Sequence, residues 1–159
     1  MNFWIVKGNK KYPNNEDVRD GRLREMLEES EFKSKWATKK AIPEDFKKGD
    51  GVFYWSSSPD CYVIGLGEVV NPDLPFEDPF NCFLMEDIAG PLDKIIDLAT
   101  LRENLPSNPN GGMATFLKRA VAGTIYPLTE KQSRFLARII SDSEQPVEVR
   151  SHFQRWRLL

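Results

Sequence analysis

The sequence predicts an α+β domain organised around a β-hairpin, on three observations. Residues 49–70 (GDGVFYWSSSPDCYVIGLGEVV) hold two runs of β-branched and aromatic residues, 52–55 and 61–70, on either side of a Ser/Pro/Asp turn, which is the composition of a hairpin and its connection. Shorter strand-like runs stand at 2–7 (NFWIVK), 82–86 (CFLME) and 123–128 (GTIYPL). Among and after them come stretches with apolar residues at helical spacing, the clearest beginning at Thr129. With 159 residues the chain is long enough for one domain with a core.

Alternation along the first hairpin strand sends Val52 and Tyr54 to one face and Phe53 and Trp55 to the other. Gly65 and Gly67 bare one face of the second strand, where a barrel could curve or a backbone or flat ligand approach. Upstream, the strand 2–7 ends in a turn with Lys10 and Lys11, and a helix capped by Asn14 or Asn15 follows, interrupted at Gly21 and resuming through Leu23, Met26 and Leu27. Residues 32–38 (FKSKWAT) place Trp36 in a basic setting, as a core plug or a platform. Residues 41–50 read as a short helical turn opened by Pro43.

Downstream, 71–81 (NPDLPFEDPFN) carries too many prolines for a regular element. Ile95, Ile96, Leu98 and Leu101 predict a short helix within 91–104, 105–112 reads as a loop, and 113–119 as a further short helix. Thr129 caps the last clear helix, whose apolar stripe is Phe135, Leu136, Ile139 and Ile140. The organisation is then one domain over 1–141 and a tail over 142–159, polar at first and then basic and aromatic at Arg150, Phe153, Arg155, Trp156 and Arg157. The tail is open to three readings: a docked segment, an oligomer contact or a second nucleic-acid contact.

The net charge of −2 argues against non-specific coating of nucleic acid, which runs on phosphate neutralisation. Locally, Lys33, Lys35, Lys39, Lys40, Lys47 and Lys48 face only Glu44 and Asp45, a basic cluster around Trp36. The single histidine, His152, excludes a histidine triad with a second imidazole or a multi-histidine metal site within one chain. Gly65-Leu66-Gly67 lacks the third glycine of a dinucleotide fingerprint. No metal, cofactor or catalytic residue is expected. Cys61 and Cys82 fall in predicted strands and read as reduced thiols. No apolar run spans a bilayer, so no membrane partner is expected and the cytoplasm is the expected compartment.

FWIVKGN at the start, KGDGVFYWSSSPDCYVIGLGEVV in the middle and GTIYPLTEKQ near the end resemble an EVE domain of the PUA-like superfamily, related to the YTH readers of methylated RNA. The resemblance runs from about residue 2 to about residue 140. It implies a strongly curved β-barrel of about five or six strands with surrounding helices, and a concave pocket for one extruded nucleobase. Trp36-Ala37-Thr38 stands where the relatives have the Trp of their aromatic cage; their second wall comes from a later segment, for which Trp55 is taken as the substitute here, with Ser56 also in the pocket. Lys7-Gly8-Asn9 stands where they hold the base edge, and Lys10, Lys11, Lys39 and Lys40 would meet flanking phosphates. The implied function is a non-enzymatic reader of a modified base, 5-methylcytosine or 5-hydroxymethylcytosine in DNA, associated with defence and serving an effector protein or a homodimer. Two alternatives accompany it: an RNA-binding module reading a modified ribonucleotide, and a hydrolase of modified nucleosides using Lys7, Thr38, Lys39 and Glu68.

Overall fold

A computed structural model describes residues 1–8, 33–57, 61–118 and 124–159. The elements are strands β1 (Phe3–Lys7), β2 (Lys33–Thr38), β3 (Gly51–Ser56), β4 (Tyr62–Glu77), β5 (Phe80–Ala89) and β6 (Ile125–Leu128), with helices α1 (Leu98–Asn104), α2 (Glu130–Ser141) and α3 (Val147–Arg155) and a 3₁₀ turn at Thr115–Leu117. The strands form one sheet in the order β2-β5-β4-β3-β1-β6. β1 and β3 run parallel, and the other pairs are antiparallel. The expected hairpin is β3–β4, and the expected α+β class is the one observed.

Side-chain contacts show how far this sheet curls. Three strand spacings separate β2 from β3, about 14 Å on a flat sheet. Nevertheless Trp36 of β2 stacks on Tyr54 of β3 with ring centroids 5.0 Å apart. The sheet must therefore be strongly curved, as a PUA-like barrel requires. Alternation then sorts the core into two layers. Trp4, Val6, Val52, Tyr54, Ile64 and Phe83 fill the inner face with Trp36 and Phe46. Phe3, Ile5, Phe53 and Trp55 face outward, under α1, α2, α3 and the 3₁₀ turn.

The Lys-Gly-Asp entry to the hairpin has a structural cause. Gly49 has φ +88°, a conformation glycine adopts without a Cβ penalty. The buried carboxylate of Asp50 accepts hydrogen bonds from the backbone N–H of Asn2 (2.9 Å), the indole Nε1 of Trp4 (2.9 Å) and the backbone N–H of Lys47 (3.0 Å). Asp50 thus ties β1 to the turn that launches β3.

Two expectations about local structure are corrected, and a third is met over a shorter span. Residues 41–50 form two successive turns, Phe46 N–H bonding Pro43 O and Asp50 N–H bonding Lys47 O, rather than a helical turn. The proline-rich segment continues β4 to Glu77. Its registers to β5 run Asn71↔Leu84, Leu74↔Cys82 and Glu77↔Phe80 with irregularities between them. Pro72 and Pro75 fall between those paired positions, and β3 no longer pairs with β4 beyond Glu68, so the missing N–H groups interrupt little. The helix expected within 91–104 begins only at Leu98, where the Asp97 carboxylate accepts the Thr100 N–H at 2.8 Å.

The segment after 141 is a docked helix. Val149, Phe153, Trp156 and Leu158 are buried in the outer core, with Phe153 stacked on Phe53 at 5.9 Å. Gly51 makes room for it, since a Cβ there would stand 2.8 Å from the Phe3 ring and 3.3 Å from Trp156. The helix expected from Asn14 lies outside the described residues.

Candidate functional site

Strand register decides which of the sequence-derived site residues can meet. Lys7 pairs with Trp55 across the parallel β1–β3 ladder. The Gly8 N–H donates to Trp55 O at 3.2 Å, and the Lys7 N–H to Thr124 O at 2.8 Å. Lys7, Gly8, Trp55 and Ser56 therefore gather at the carboxyl ends of β1 and β3. The Lys7 ammonium sits 5.0 Å from the centroid of the Tyr126 ring. Partial burial lowers the lysine's pKa, and the nearby Cys61 thiol opposes that shift. The ammonium is thus held against an aromatic face by a cation–π contact. Asn9, Lys10 and Lys11 lie outside the described residues.

Trp36, Ala37 and Thr38 stand elsewhere. Thr38 pairs with Asn81 at the hairpin end of β5, beyond the amino end of β3 and away from Lys7. Trp36 is 5% exposed and Trp55 2%, and they belong to different packed layers. Trp36 lies nearly parallel to Tyr54 and to Phe83, whereas Trp55 meets Phe116 edge-on at 5.2 Å. The two tryptophans do not face each other across a cavity, because alternation sends them to opposite faces. Lys39 and Lys40 are exposed beside Thr38, with the Lys39 ammonium 5.9 Å from the Phe80 ring centroid.

Sequence reading missed a polar relay beneath Trp36. Its indole Nε1 donates to Ser34 Oγ (2.9 Å), Ser34 Oγ donates to Asp87 Oδ1 (2.8 Å), and the Tyr54 hydroxyl donates to the same Asp87 oxygen at 2.6 Å. Burial, and then the Asp87 charge, push the Tyr54 pKa well above the ordinary phenol value. Gly67 explains how the phenol gets there, since a Cβ on it would meet Tyr54 Oη at 2.1 Å. The bare face left by Gly67 is filled by the protein's own ring, not left open for a flat ligand.

The hydrolase set is dispersed. Lys7 sits at the end of β1, Thr38 and Lys39 at the far end of β2, and Glu68 lies 3.4 Å from Trp156 Nε1 and 3.9 Å from Arg155. Among the described residues, no three His, Cys, Asp or Glu side chains are grouped to hold a metal, and no helix is long and apolar enough to cross a membrane.

Comparison with solved structures places this architecture. Rpa0253 from Rhodopseudomonas palustris aligns over 91% of this chain and 97% of its own, at 16% identity and a TM-score of 0.56. Human THYN1, solved in complex with 5-methylcytosine-containing DNA, aligns over 92% of this chain and 100% of its own, at 14% identity and a TM-score of 0.56. This chain has the EVE-type, PUA-like fold. Atu2648 from Agrobacterium tumefaciens shares it at 17% identity over 92% of this chain and 97% of its own, with a TM-score of 0.54. No protein-family model matches the chain, and neither does any curated protein sequence. Of the residues that the sequence resemblance assigned to the base edge, Lys7 and Gly8 lie at the paired ends of β1 and β3.

Proposed function

We propose that this chain binds DNA carrying a modified cytosine and takes the extruded base at the carboxyl ends of β1 and β3. The observation that carries the reading is the likeness, over 92% of this chain, to a structure solved with 5-methylcytosine DNA bound. Lys7 and Gly8 at the end of β1, continuing in sequence to Asn9, supply a cation and polar groups for a base edge, while the buried Trp55 and Ser56 back the site from the core. Trp36-Ala37-Thr38 lie towards the other end of the sheet, with Trp36 packed in the inner layer, and are left out of this site. Extrusion costs a few kcal/mol, and stacking on an aromatic face returns roughly 1–3 kcal/mol. A buried methyl adds about 0.8 kcal/mol, about a fourfold preference over cytosine.

The test is a panel of single- and double-stranded DNA and RNA oligonucleotides, each with one cytosine, 5-methylcytosine or 5-hydroxymethylcytosine, read by fluorescence anisotropy. A preference for a modified DNA strand is expected. Equal affinity for every member overturns the reading, and preference for a modified RNA moves it to the RNA-binding alternative. Incubation of the protein with modified nucleosides, followed by chromatography, isolates the hydrolase: a new product peak assigns an enzyme.

A further inference from the structure

At the amino end of β1, opposite the candidate base site, an open cleft of about 650 Å³ lies between Phe3, Leu128, Arg134, Arg155, Trp156 and Arg157. Its three guanidiniums come from α2, from the last residue of α3 and from the turn just past it. Arg134, on α2, pairs with Glu130 at 2.8 Å. Arg155, at the end of α3, is 62% exposed and lies 2.7 Å from His152 Nδ1 and 3.9 Å from Glu68. Arg157, just past α3, has no carboxylate partner among the described residues.

Arg157 also occupies an unusual conformation. The Leu158 N–H donates to Phe153 O and the Arg157 N–H to Gln154 O, both at 2.9 Å, which is the hydrogen-bond pattern of a Schellman cap. In that motif the residue at the position of Arg157 is left-handed and usually glycine, whereas here an arginine takes φ +57°. A side chain kept where glycine fits better, at the lip of a cleft with two other arginines, calls for a role outside the fold.

The geometry points to a phosphate-binding cleft that grips the backbone of the same DNA whose base is read at the other end of β1; this rests on the proposed function for the identity of the ligand. Phe3 and Lys7 are four strand residues apart, about 13 Å at about 3.3 Å per residue. The strand between them is buried, so the DNA reaches both sites around the edge of the sheet rather than along β1. Guanidinium groups suit phosphate oxygens because their planar fork donates two parallel hydrogen bonds.

The test uses the full chain and an unmodified duplex of about 12 base pairs alongside its 5-methylcytosine counterpart. Arg157→Gly should fold with equal or higher melting temperature, because glycine relieves the left-handed strain. It should bind both duplexes roughly tenfold more weakly at about 0.1 M salt, and lower the log–log salt slope by about 0.9. Arg155→Gln should act the same way, and carries the test if Arg157→Gly is unstable. Unchanged affinity and slope in a folded variant overturn the cleft assignment while leaving base reading intact. Equal affinity of the wild type for the two duplexes instead counts against base reading, and the cleft is still tested on the unmodified duplex. Wild-type protein that binds poly-glutamate but neither duplex overturns the DNA assignment in favour of an acidic peptide.

Discussion

On the inner face of the sheet, large aromatics carry polar ties to other segments: Trp4 to Asp50, Tyr54 to Asp87, and Trp36 to Asp87 by way of Ser34. On the outer face, Phe53, Trp55, Phe116 and Phe153 pack ring against ring under helix-borne aliphatic side chains. Dispersion and apolar burial have no preferred direction, so the outer layer asks mainly for volume. A buried hydrogen bond has an angle and a distance, so the inner layer also fixes which strand lies beside which. The inner layer should therefore fail as a unit and the outer layer piece by piece.

The largest expected effects test that contrast directly. Trp36→Ala and Trp156→Ala should each cost about 3–5 kcal/mol by chemical denaturation, the range for deleting a large buried aromatic. They should differ in hydrogen exchange. Trp156→Ala should speed exchange chiefly in α3, which rests on the sheet as a docked helix. Trp36→Ala should lower protection across β2 to β5 together, since it opens the layer joining them. If both variants show the same uniform loss, the two faces form one cooperative unit and the contrast is wrong.

Gly67→Ala comes next, at about 1–3 kcal/mol for overpacking. The new methyl collides with Tyr54 Oη and with the ring carbon that bears it, and the nearest backbone atom is Glu86 O at 3.0 Å. The ring must leave Asp87, so Gly67→Ala and Tyr54→Leu should be strongly non-additive in a double-mutant cycle. Simple additivity would place the strain somewhere other than under the phenol.

This pair of residues also shows where sequence reading stops. Periodicity exposed Gly65 and Gly67 as a bare stripe and put Tyr54 and Trp55 on opposite faces, and both follow from the two-residue repeat of a strand. What covers the stripe depends on curvature, which brings β2 over β3 and is not encoded in any local window. The same cause separated Trp36 from Trp55: each looked like a cage wall, and only the β2–β5 and β1–β3 registers show that they lie on different faces. The proline-rich end of β4 was missed because proline penalties presume a strand paired on both edges, and this segment pairs on one. That Lys7 lies beside Trp55 was not legible either, because it follows from the parallel β1–β3 register. The cleft arginines were visible only as a basic, aromatic tail, because docking of Phe153 and Trp156 is what turns Arg155 and Arg157 outward together.

Alkaline pH gives a smaller, sharper probe of the inner layer. The folded-state pKa of Tyr54 is raised, by burial first and the Asp87 charge second, above the unfolded value near 10. The stability this group contributes is therefore complete below about pH 10 and is lost as pH climbs from there towards the folded value. The slope approaches about 1.4 kcal/mol per pH unit for a single proton. Tyr54→Phe should remove that slope while every lysine titrates as before, so the difference between the two denaturation curves isolates it. Parallel curves through the alkaline range would mean that the phenol ionises as freely folded as unfolded.

The smallest expected effect tests the claim that the outer layer depends on volume rather than on directed bonds, at the place where that claim is most exposed. Helix α2 opens with a capping box, in which the Thr129 hydroxyl accepts the Gln132 N–H at 3.1 Å and the Gln132 side-chain oxygen accepts the Thr129 N–H at 2.9 Å. The buried Gln132 amide also donates to Pro106 O (2.9 Å) and Asn108 Oδ1 (3.0 Å), so it is a polar tie from a covering helix to the loop after α1. Thr129→Ala removes one acceptor at a partly exposed helix end and should cost about 1 kcal/mol. Gln132→Ala leaves both the Pro106 carbonyl and the Thr129 N–H without this partner in a partly buried setting and should cost more, about 1–3 kcal/mol. If that ranking holds and exchange rises only in α2 and residues 105–112, the tie is local and the outer layer remains separable from the sheet. If Gln132→Ala instead lowers protection in β1 and β3, a directed bond on the outer face also sets strand order, and the division between the faces fails there.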